Sequence, residues 1–497
     1  MTASNKQNKQ KTQAVLLEAE RQLALDQPSK ALELYNQVLA GDEQQFDALI
    51  GCGRALTALR QYDFALAHFN FALGLQPQAA IAYHYRALAY HGSKHFDEAL
   101  MDHQQALALN PNEISTYLNL ANTLTEMDRF EEALEFYNGV IDMAPQYAIA
   151  YNNRGNLFLD QRMIKEALAD YAQAAKLDPG QQKFRWNQSI MHILLGQYEQ
   201  GWALYEAGLG IQGFARGLRK QMPQPEWLGK QDVSGKRVLL HAEQGYGDTI
   251  QFCRYAKQVQ ALGAEVILEV QAPLVSLLQT INQGSTALNE IEVVAQGQGF
   301  AEFDYHCPLL SLPMVFNTTL ETVPAPIPYL HAQPSDHVLL EKPARPRIGL
   351  VWSGSTTHKN DHRRSLALAA LAPLLALPYE FHCLQQEVRA ADAELLSQLS
   401  AITLHQAQLK NFADTAALIA QMDLVISVDT SVAHLAGALG KPLWLLLPFV
   451  PDYRWLLDRT DTPWYPQAHL WRQPAVGDWN SVIAAMAKQL QHFPSPS

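Results

Sequence analysis

Small, aromatic and proline residues recur along the first 210 residues with a period of 34 positions. The repeated alanines are Ala31, Ala65, Ala99, Ala133 and Ala167. Four residues after each alanine come Tyr35, Phe69, His103, Tyr137 and Tyr171, of which only His103 departs from the aromatic Tyr/Phe pattern. The periods close at Pro77, Pro111, Pro145 and Pro179. A small residue lets two helices approach, an aromatic one turn later fills the gap, and proline cannot continue a helix. The pattern therefore predicts stacked pairs of antiparallel helices.

This period resembles the tetratricopeptide repeat (TPR), whose unit is a pair of antiparallel helices. We expect an α-solenoid of about five to six repeats over residues 14–210, preceded by a flexible segment at 1–13. Residues 182–209 look like a degraded last repeat. Trp202 and Tyr205 are expected to pack that end against the next part of the chain.

The helical period ends after residue 210. Residues 211–235 carry Gly, Pro and charged residues, which predicts a linker or a strap across a domain junction. From residue 236 onward, short apolar runs alternate with helical segments, and their near-continuous Val, Ile and Leu content favours parallel strands buried on both faces. The predicted strands are 237–241, 265–270 and 291–294 in a first lobe, and 347–352, 380–384, 424–428 and 443–447 in a second.

Two α/β lobes at 236–342 and 343–497 predict facing sheets with a cleft between the carboxyl ends of their strands. This arrangement resembles the GT-B fold, which is built from two Rossmann-like lobes. By that resemblance the first lobe binds the acceptor and the second binds a nucleotide-sugar. The closing helix, predicted at 479–490, would cross back onto the first lobe.

The first candidate motif follows strand 237–241 and contains Gly245, Gly247 and Asp248. Glycines let the backbone bend tightly and approach a ligand, and a helix N-terminus offers free N–H groups to an anion. Both glycines are therefore candidates for donor binding. Asp248 lies in the same turn, and from the residues alone it can be a helix N-cap, for which Asp is a favoured residue.

The second motif is a basic segment that directly follows strand 347–352. Its candidate donor-binding residues are Ser353, His358, Arg363 and Arg364, and Lys359 is a candidate catalytic residue. Such a cluster can neutralise a diphosphate and stabilise the charge that builds up on a leaving nucleotide. The alternative is a solvated basic loop without a ligand.

The third motif, at 423–437, is a strand followed by a turn and a helix. The N–H groups and hydroxyls of Thr430 and Ser431 would face a pyrophosphate at the start of that helix. We expect Asp429 to contact the sugar, because a carboxylate beside phosphates is repelled unless it binds hydroxyls. His434, one turn into the helix, is predicted to support the site by packing and hydrogen bonding.

Two further segments adjoin the predicted cleft. Residues 411–415 open a helix with a good capping residue, and in a GT-B fold a loop at this position borders the base and ribose. Residues 448–455 follow a strand end, and their aromatic side chains either stack on the donor or pack the junction between the lobes.

From residue 241 onward the chain resembles glycosyltransferase family 9, the ADP-heptose:lipopolysaccharide heptosyltransferases. The G-Y-G-D turn at 245–248, the basic segment at 352–365 and the D-T-x-x-x-H-L pattern at 429–435 carry this resemblance. It implies that Asp248 is the base that activates the acceptor hydroxyl, and that Lys359 contacts the phosphate with Arg363 or Arg364 assisting. The chain as a whole looks like bacterial TPR proteins with such a domain, some of which act in flagellin glycosylation.

Asparagines follow the repeat period in two registers. The candidate peptide-binding residues are Asn119, Asn153 and Asn187 in one register and Asn122 and Asn156 in the other. A row of amides can bind an extended peptide backbone without reading its side chains, as in the similar asparagine ladder of protein O-GlcNAc transferases. Alternatively, these amides satisfy helix ends or neighbouring repeats.

Composition excludes several classes of protein. The net charge of -12 argues against a nucleic-acid partner. Four scattered cysteines without C-x-x-C spacing predict neither a zinc site nor disulfides, and favour the cytoplasm. The N-terminus lacks a signal sequence, and no apolar stretch is long enough to cross a membrane. Without a D-x-D run we expect no metal, and no cofactor besides the nucleotide-sugar co-substrate.

These observations favour a glycosyltransferase that modifies a protein, with Ser or Thr of flagellin as one acceptor and the solenoid presenting it. A transferase acting on a glycolipid or lipopolysaccharide is the first alternative. The second is a TPR scaffold whose transferase domain is inactive.

Overall fold

A computed structural model of the chain describes residues 3–209, 222–284, 290–299, 302–324, 326–335, 338–356, 360–399 and 401–493. The chain divides into two compact units, Met1–Pro179 and Gly180–Ser497. The first unit is helical and the second contains two parallel sheets, so the predicted order of an α-solenoid followed by an α/β, GT-B-like part is confirmed.

Within residues 3–179 the first unit forms five pairs of α-helices. They are α1 (Ala3–Ala24), α2 (Pro28–Leu39), α3 (Phe46–Ala58), α4 (Tyr62–Leu75), α5 (Ala80–Gly92), α6 (Phe96–Leu109), α7 (Ile114–Glu126), α8 (Phe130–Met143), α9 (Ala148–Asp160) and α10 (Ile164–Leu177). All five repeat alanines and the residues four positions later are fully or almost fully buried. Helices α4, α6, α8 and α10 each end two residues before a repeat proline, as predicted.

The turn inside each helix pair passes through one residue with a left-handed backbone. These residues are Asp26, Arg60, Lys94, Asp128 and Arg162, spaced 34 positions apart. Such a residue just after a helix end satisfies the last carbonyl groups of the helix. The next position of the series is Gly196, which adopts this backbone without steric cost. The sixth helix pair therefore keeps the repeat geometry although its sequence is degraded.

The N-terminal boundary differs from the expectation. Helix α1 begins at Ala3, inside the segment 1–13 that the sequence predicts to be flexible. The Lys and Gln residues of this segment have high helix propensity, which favours the extension of α1 towards the N-terminus.

The C-terminal boundary of the solenoid also differs from residue 210. Helices α11 (Gln182–Leu194) and α12 (Tyr198–Tyr205) lie in the second unit. The reason is aromatic packing: the ring of Trp202 lies 6.0 Å from that of Phe252, and the hydroxyls of Tyr205 and Tyr453 are 2.8 Å apart. The prediction that Trp202 and Tyr205 pack this end against the next part of the chain is thus confirmed.

The first lobe of the second unit has a parallel sheet with strand order β3-β2-β1-β4. Its strands are β1 (Arg237–His241), β2 (Glu265–Val270), β3 (Glu292–Ala295) and β4 (Tyr305–Pro308). Its α-helices are α13 (Tyr246–Phe252), α14 (Ala256–Ala261), α15 (Val275–Leu278) and α16 (Leu312–Val315). Strand β4 was not predicted because its four residues contain no Val, Ile or Leu.

The predicted linker at 211–235 is described only from residue 222 onward. There it acts as a strap on the first lobe, because the backbone N–H of Trp227 donates to the carbonyl of His306 in β4 at 2.7 Å. The side chain of Trp227 is buried.

The second lobe has a parallel sheet with strand order β10-β9-β8-β5-β6-β7. Its strands are β5 (Arg347–Val351), β6 (Glu380–Cys383), β7 (Ile402–Leu404), β8 (Leu424–Val428), β9 (Leu443–Leu447) and β10 (Ala468–Arg472). Its α-helices are α17 (Asp361–Arg364), α18 (Ala372–Leu375), α19 (Ala390–Gln398), α20 (Phe412–Ala420), α21 (Ser431–Ala438) and α22 (Trp479–Leu490). The strand order reverses between β5 and β8, where α/β sheets of this kind bind ligands.

The closing helix is α22, at the predicted position. The expectation that it crosses back onto the first lobe is corrected, since α22 packs on α18 and β10 of the second lobe. The hydroxyl of Tyr379 also donates to the carbonyl of Leu490 at the end of α22. Its buried face, which includes Ile483 and Met486, belongs to the core of that lobe.

Candidate active site

Two helix N-termini meet where the lobes face each other. Helix α13 follows β1 in the first lobe, and α21 follows β8 in the second. A Cβ atom added to Gly247 would lie 2.8 Å from Cδ2 of His434, so a larger residue at position 247 would push α13 away from α21. The glycine is needed here for close helix approach. The prediction that Gly245 and Gly247 bind the donor directly stays untested.

A cleft of about 270 Å³ opens at the carboxyl ends of the second-lobe strands. The predicted donor-binding residues Ser353, Thr430 and Ser431 line it, and Tyr246 of the first lobe borders it. The cleft thus lies at the strand-order reversal between β5 and β8, as the sequence predicts for a GT-B-like fold.

The start of helix α20 forms another wall of the cleft, in agreement with the expectation for 411–415. The side chain of Asn411 caps α20 by accepting from the backbone N–H groups of Ala413 and Asp414 at 2.8 and 3.2 Å. Asn411, Phe412 and Thr415 all line the cleft. The ring of Phe412 lies 5.1 Å from that of Tyr246, so these two aromatics meet across the lobes.

The loop after β5 is fixed by a buried amide. The side-chain oxygen of Gln385 accepts from the backbone N–H groups of Trp352 and Ser353 at 2.7 and 3.1 Å. The amide nitrogen of Gln385 donates to the Ser353 hydroxyl at 3.1 Å. Sequence reasoning missed this role, because a single Gln after a strand has no distinctive pattern.

The basic segment is described only in part. His358 and Lys359 lie outside the described residues, so their predicted contact with a phosphate stays a prediction. Arg364 donates to the backbone carbonyl of Asp429 at 3.0 Å, which places the described end of this segment beside the β8 motif. Arg363 is half-buried and has an interaction partner.

Asp248 occupies the third position of α13. One carboxylate oxygen accepts from the backbone N–H of Gly245 at 3.0 Å, so the N-cap of α13 is Gly245 and Asp248 closes a capping box from the third helical position. The other oxygen forms an ion pair with Arg454 of the second lobe. Burial raises the pKa of the Asp248 carboxyl above its ordinary value, and the charge of Arg454 opposes that rise. A carboxylate has about four lone-pair positions, so these two contacts leave it able to accept a proton.

Asp429 lies at the end of β8, directly before the two hydroxyl residues of the cleft. Burial raises the pKa of Asp429 to about 6; the charge of Asp452 adds to the rise and that of Arg454 opposes it. Its side chain is 16% exposed and lies 3.9 Å from Nε2 of His434. Near neutral pH this carboxyl is therefore close to its titration range.

His434 is held inside the lobe junction. Its Nδ1 lies 3.0 Å from the hydroxyl of Tyr465, and its ring stacks on that of Trp455 at 5.3 Å. Burial lowers the pKa of His434 well below its ordinary value, and the charges of Arg454 and Arg254 act in the same direction. The supporting role predicted for His434 agrees with this packing. Trp455, fully buried, belongs to the junction, which favours the packing alternative for 448–455.

Amides of the first unit bond to one another within a helix and between neighbouring repeats. Oδ1 of Asn122 accepts from the Tyr137 hydroxyl at 2.7 Å and from the amide of Asn153 at 3.0 Å. The amide nitrogen of Asn122 donates to Asn119 at 3.3 Å. The alternative that these amides satisfy neighbouring repeats is therefore correct for Asn122 and Asn153, and all three side chains stay partly exposed.

The remaining two asparagines differ in their surroundings. Asn156 is exposed and accepts from the hydroxyl of Tyr171 at 2.8 Å. Asn187 lies on α11 in the second unit and has a partner. Peptide binding by either register stays a prediction.

The sequence predicts that the chain lacks three features, namely a metal site, a membrane-spanning helix and disulfide bonds. In the described part of the chain, no group of three or more His, Cys, Asp or Glu side chains is arranged to hold a metal ion. Among the described helices, none is long and apolar enough to span a membrane. All four cysteines are buried and free.

Known protein families match a segment in each of the two units of the chain. Tetratricopeptide repeat families match residues 90–153 and 148–181. Glycosyltransferase family 9 (heptosyltransferase) matches residues 386–446, which contain the third motif. The first two motifs and Arg454 lie outside that match.

The chain is similar to Protein FlbA of Caulobacter vibrioides, with 26% identity over 351 residues. The alignment covers 65% of this chain and 58% of that protein, so this chain spans little more than half of its relative. A thermophilic TPR protein of Thermus thermophilus is 20% identical, with 36% of this chain and 98% of that chain covered and a TM-score of 0.34. A tetratricopeptide repeat protein of Parabacteroides merdae is 18% identical, with 39% and 76% covered and a TM-score of 0.36. Scores this low carry no conclusion about function.

Proposed function

We propose that this chain, in which tetratricopeptide repeats precede a segment similar to glycosyltransferase family 9, transfers a sugar from a nucleotide-sugar to a protein acceptor. The second unit binds the donor in the cleft at the ends of β5 and β8. The TPR unit binds the acceptor, for which Ser or Thr of flagellin is the specific candidate. The reaction proceeds in the cytoplasm without a metal ion.

In this reaction the acceptor hydroxyl attacks the anomeric carbon of the donor sugar. The bond between that carbon and the phosphate oxygen breaks, and the leaving nucleotide takes both electrons. The hydroxyl proton passes to the carboxylate of Asp248. Thr430 and Ser431, at the N-terminus of α21, bind the phosphates, and Lys359 with Arg364 stabilises their growing charge.

The observation that carries this proposal is the meeting of the two helix N-termini beside one cleft. Helix α21 directs N–H groups and two hydroxyl residues to the cleft, which favours an anionic ligand there. Helix α13 brings Asp248 to the same junction from the other lobe, through its contact with Arg454. An anion site on one lobe and a carboxylate on the other are the two groups that a glycosyl transfer requires.

Protein rather than lipid is favoured as the acceptor because of the first unit. Stacked helix pairs form extended binding surfaces, and the amides of Asn119, Asn122 and Asn153 on this solenoid stay partly exposed. The amide nitrogens of Asn122 and Asn153 each carry a second N–H, which can donate to a peptide backbone.

Nucleotide release tests the activity. The purified chain is incubated with UDP-, GDP-, ADP- and CMP-activated sugars, with and without a cell protein extract or a lipopolysaccharide extract. We expect one donor to be turned over, with a loss of about 100-fold or more in Asp248→Ala. The matched control is Asp461→Ala, since Asp461 is exposed and pairs only with Arg459 among its described ion pairs.

The outcomes separate the alternatives. Transfer to the lipid extract alone makes the chain a glycolipid transferase. Unchanged turnover in Asp248→Ala removes that residue from the reaction. If the chain neither turns over nor binds any of the four nucleotide classes, the enzyme proposal is wrong and a TPR scaffold is left.

A further inference from the structure

The guanidinium of Arg454 links the two lobes at the candidate site. Arg454 lies in the turn after β9, and its side chain is 10% exposed. Its Nε donates to Oε1 of Gln251 at 2.8 Å, and its Nη2 donates to the carboxylate of Asp248. Both partners belong to α13 of the first lobe. In a third contact, Nη1 donates to the carboxylate of Asp452 at 2.8 Å, which holds the guanidinium from within the second lobe.

This arrangement is specific for arginine. Three nitrogens of one planar group donate in three directions, and such a fork is available in no other side chain. The guanidinium also lies over the ring of Tyr453, with 4.4 Å from Cζ to the ring centre. The planar group is therefore held between an aromatic face and three oxygen acceptors, so its position is well defined.

The charge around Arg454 is predominantly negative. Asp248 approaches from α13, Asp452 from the same turn as Arg454, and Asp429 from the end of β8. His434 on α21 stays neutral because burial and the nearby arginines lower its pKa. The hydroxyl of Tyr205 on α12 lies 2.8 Å from the hydroxyl of Tyr453, on whose ring the guanidinium is placed.

The charge of Arg454 thus lowers the pKa of two carboxyl groups of the site. Burial raises the pKa of both Asp248 and Asp429, and Arg454 lowers both. Asp429 also has the charge of Arg364 nearby. Asp248 has only Arg454 as an ion-pair partner in the described part of the chain, so its ionised form depends on this one residue more strongly.

We propose that Arg454 is a positioning residue for the transfer reaction, which holds the Asp248 carboxylate ionised and at a fixed place across the junction of the two lobes. This inference rests on the proposed function, in which Asp248 is the base. A base must be unprotonated before the acceptor binds, and it must lie at a constant distance from the donor on the other lobe. Arg454 meets both requirements through a single contact.

The pH profile of kcat/KM tests the proposal. In Arg454→Gln the side chain can still donate to an oxygen but carries no charge, so we expect the acidic limb of the profile to move up by about one pH unit or more. At neutral pH we expect kcat to fall about 10- to 100-fold, while the dissociation constant of the nucleotide product changes less than about threefold. Arg454→Lys keeps the charge and should leave the acidic limb near its original position.

Arg459→Gln is the matched control. Arg459 lies five residues further along the chain and pairs with exposed Asp461, so its loss should leave the profile unchanged. An acidic limb that stays in place in Arg454→Gln overturns the proposal even if activity falls, because a merely structural role lowers activity without moving the limb. A weaker nucleotide affinity with unchanged kcat also overturns it, since Arg454 would then bind the donor.

A second measurement does not depend on turnover. Thermal unfolding is compared for wild type, Arg454→Gln, Asp248→Asn and the double variant. If Arg454 positions Asp248, the loss of Tm caused by Arg454→Gln is clearly smaller in the Asp248→Asn background. Equal losses in both backgrounds overturn the link between these residues. If this coupling is present but no donor is turned over, the proposed function is wrong and the positioning of Asp248 stands.

Discussion

At the scale of single residues, the buried carboxyl of Asp429 makes the free energy of unfolding depend on pH. Its folded pKa of about 6 exceeds the ordinary value of 3.8, so the folded chain binds this proton more tightly than the unfolded chain. The contribution of the carboxyl to stability is fully present below pH 3.8 and is lost as the pH rises through 6. Above that pH the folded chain bears the free-energy cost of a buried negative charge.

We therefore predict that Asp429→Asn raises the free energy of unfolding at pH 8 while lowering transferase activity. The gain is up to about 3 kcal/mol, because each pKa unit corresponds to about 1.4 kcal/mol. Urea unfolding at pH 4, 6 and 8 measures it, and the difference from wild type should grow between pH 4 and 6. Asp461→Asn, on the surface, should show no such growth. A variant that is less stable than wild type at pH 8 contradicts the prediction.

The same scale shows what sequence alone can find. Asp429, Thr430 and Ser431 were predicted because they follow one another between a strand and a helix, so their place in the fold can be read locally. Arg454 was missed because its partners Asp248 and Gln251 lie about 200 positions away. No local pattern distinguishes an arginine that will meet a carboxylate of the other lobe from one that stays in water.

At the scale of elements, the central strands were predictable, whereas three of the four edge strands were not. Strands β8 and β9 lie inside their sheet, are fully buried and consist almost wholly of apolar residues. Strands β4, β7 and β10 lie at sheet edges. An edge strand has one neighbour and is partly exposed, so its residues are mixed and the apolar run that reveals a buried strand is missing.

Gln385 provides a test at this scale, because it holds the loop that leaves β5. In Gln385→Ala the backbone N–H groups of Trp352 and Ser353 lose their acceptor inside the lobe. Each unsatisfied buried group costs about 1–3 kcal/mol, so the loop should leave its position. We predict about tenfold or more weaker nucleotide binding, measured by titration calorimetry. Gln398→Ala, on the exposed face of α19, is the control, and equal affinity in both variants would contradict the role of Gln385.

At the scale of the whole molecule, the sequence places the end of the solenoid at residue 210. In the structure the boundary between the two compact units lies at 179/180. The sequence finds the sixth repeat by its period, but it cannot show which neighbour that repeat packs on. Tyr198, Trp202 and Tyr205 are almost fully buried. The hydroxyl of Tyr198 also accepts from the indole of Trp464 at 3.1 Å, so the last helix pair is part of the core of the second unit.

Chains truncated at residue 180 or at residue 211 test which of these two boundaries is correct. We predict that residues 180–497 fold and bind nucleotide as the full chain does, but lose transfer to protein because the TPR unit is absent.

Residues 211–497 should be much less stable, since removing α11 and α12 uncovers the faces of Phe252, Tyr453 and Trp464. Fully burying one large apolar side chain contributes about 1.5–3 kcal/mol, so uncovering three of them costs up to about 5–9 kcal/mol, which is comparable with the whole stability of many domains. Thermal unfolding, nucleotide titration and transfer to cell protein are measured on all three chains. Equal Tm values for 180–497 and 211–497 would show that the last helix pair is dispensable, and normal transfer by 180–497 would show that the solenoid does not present the acceptor.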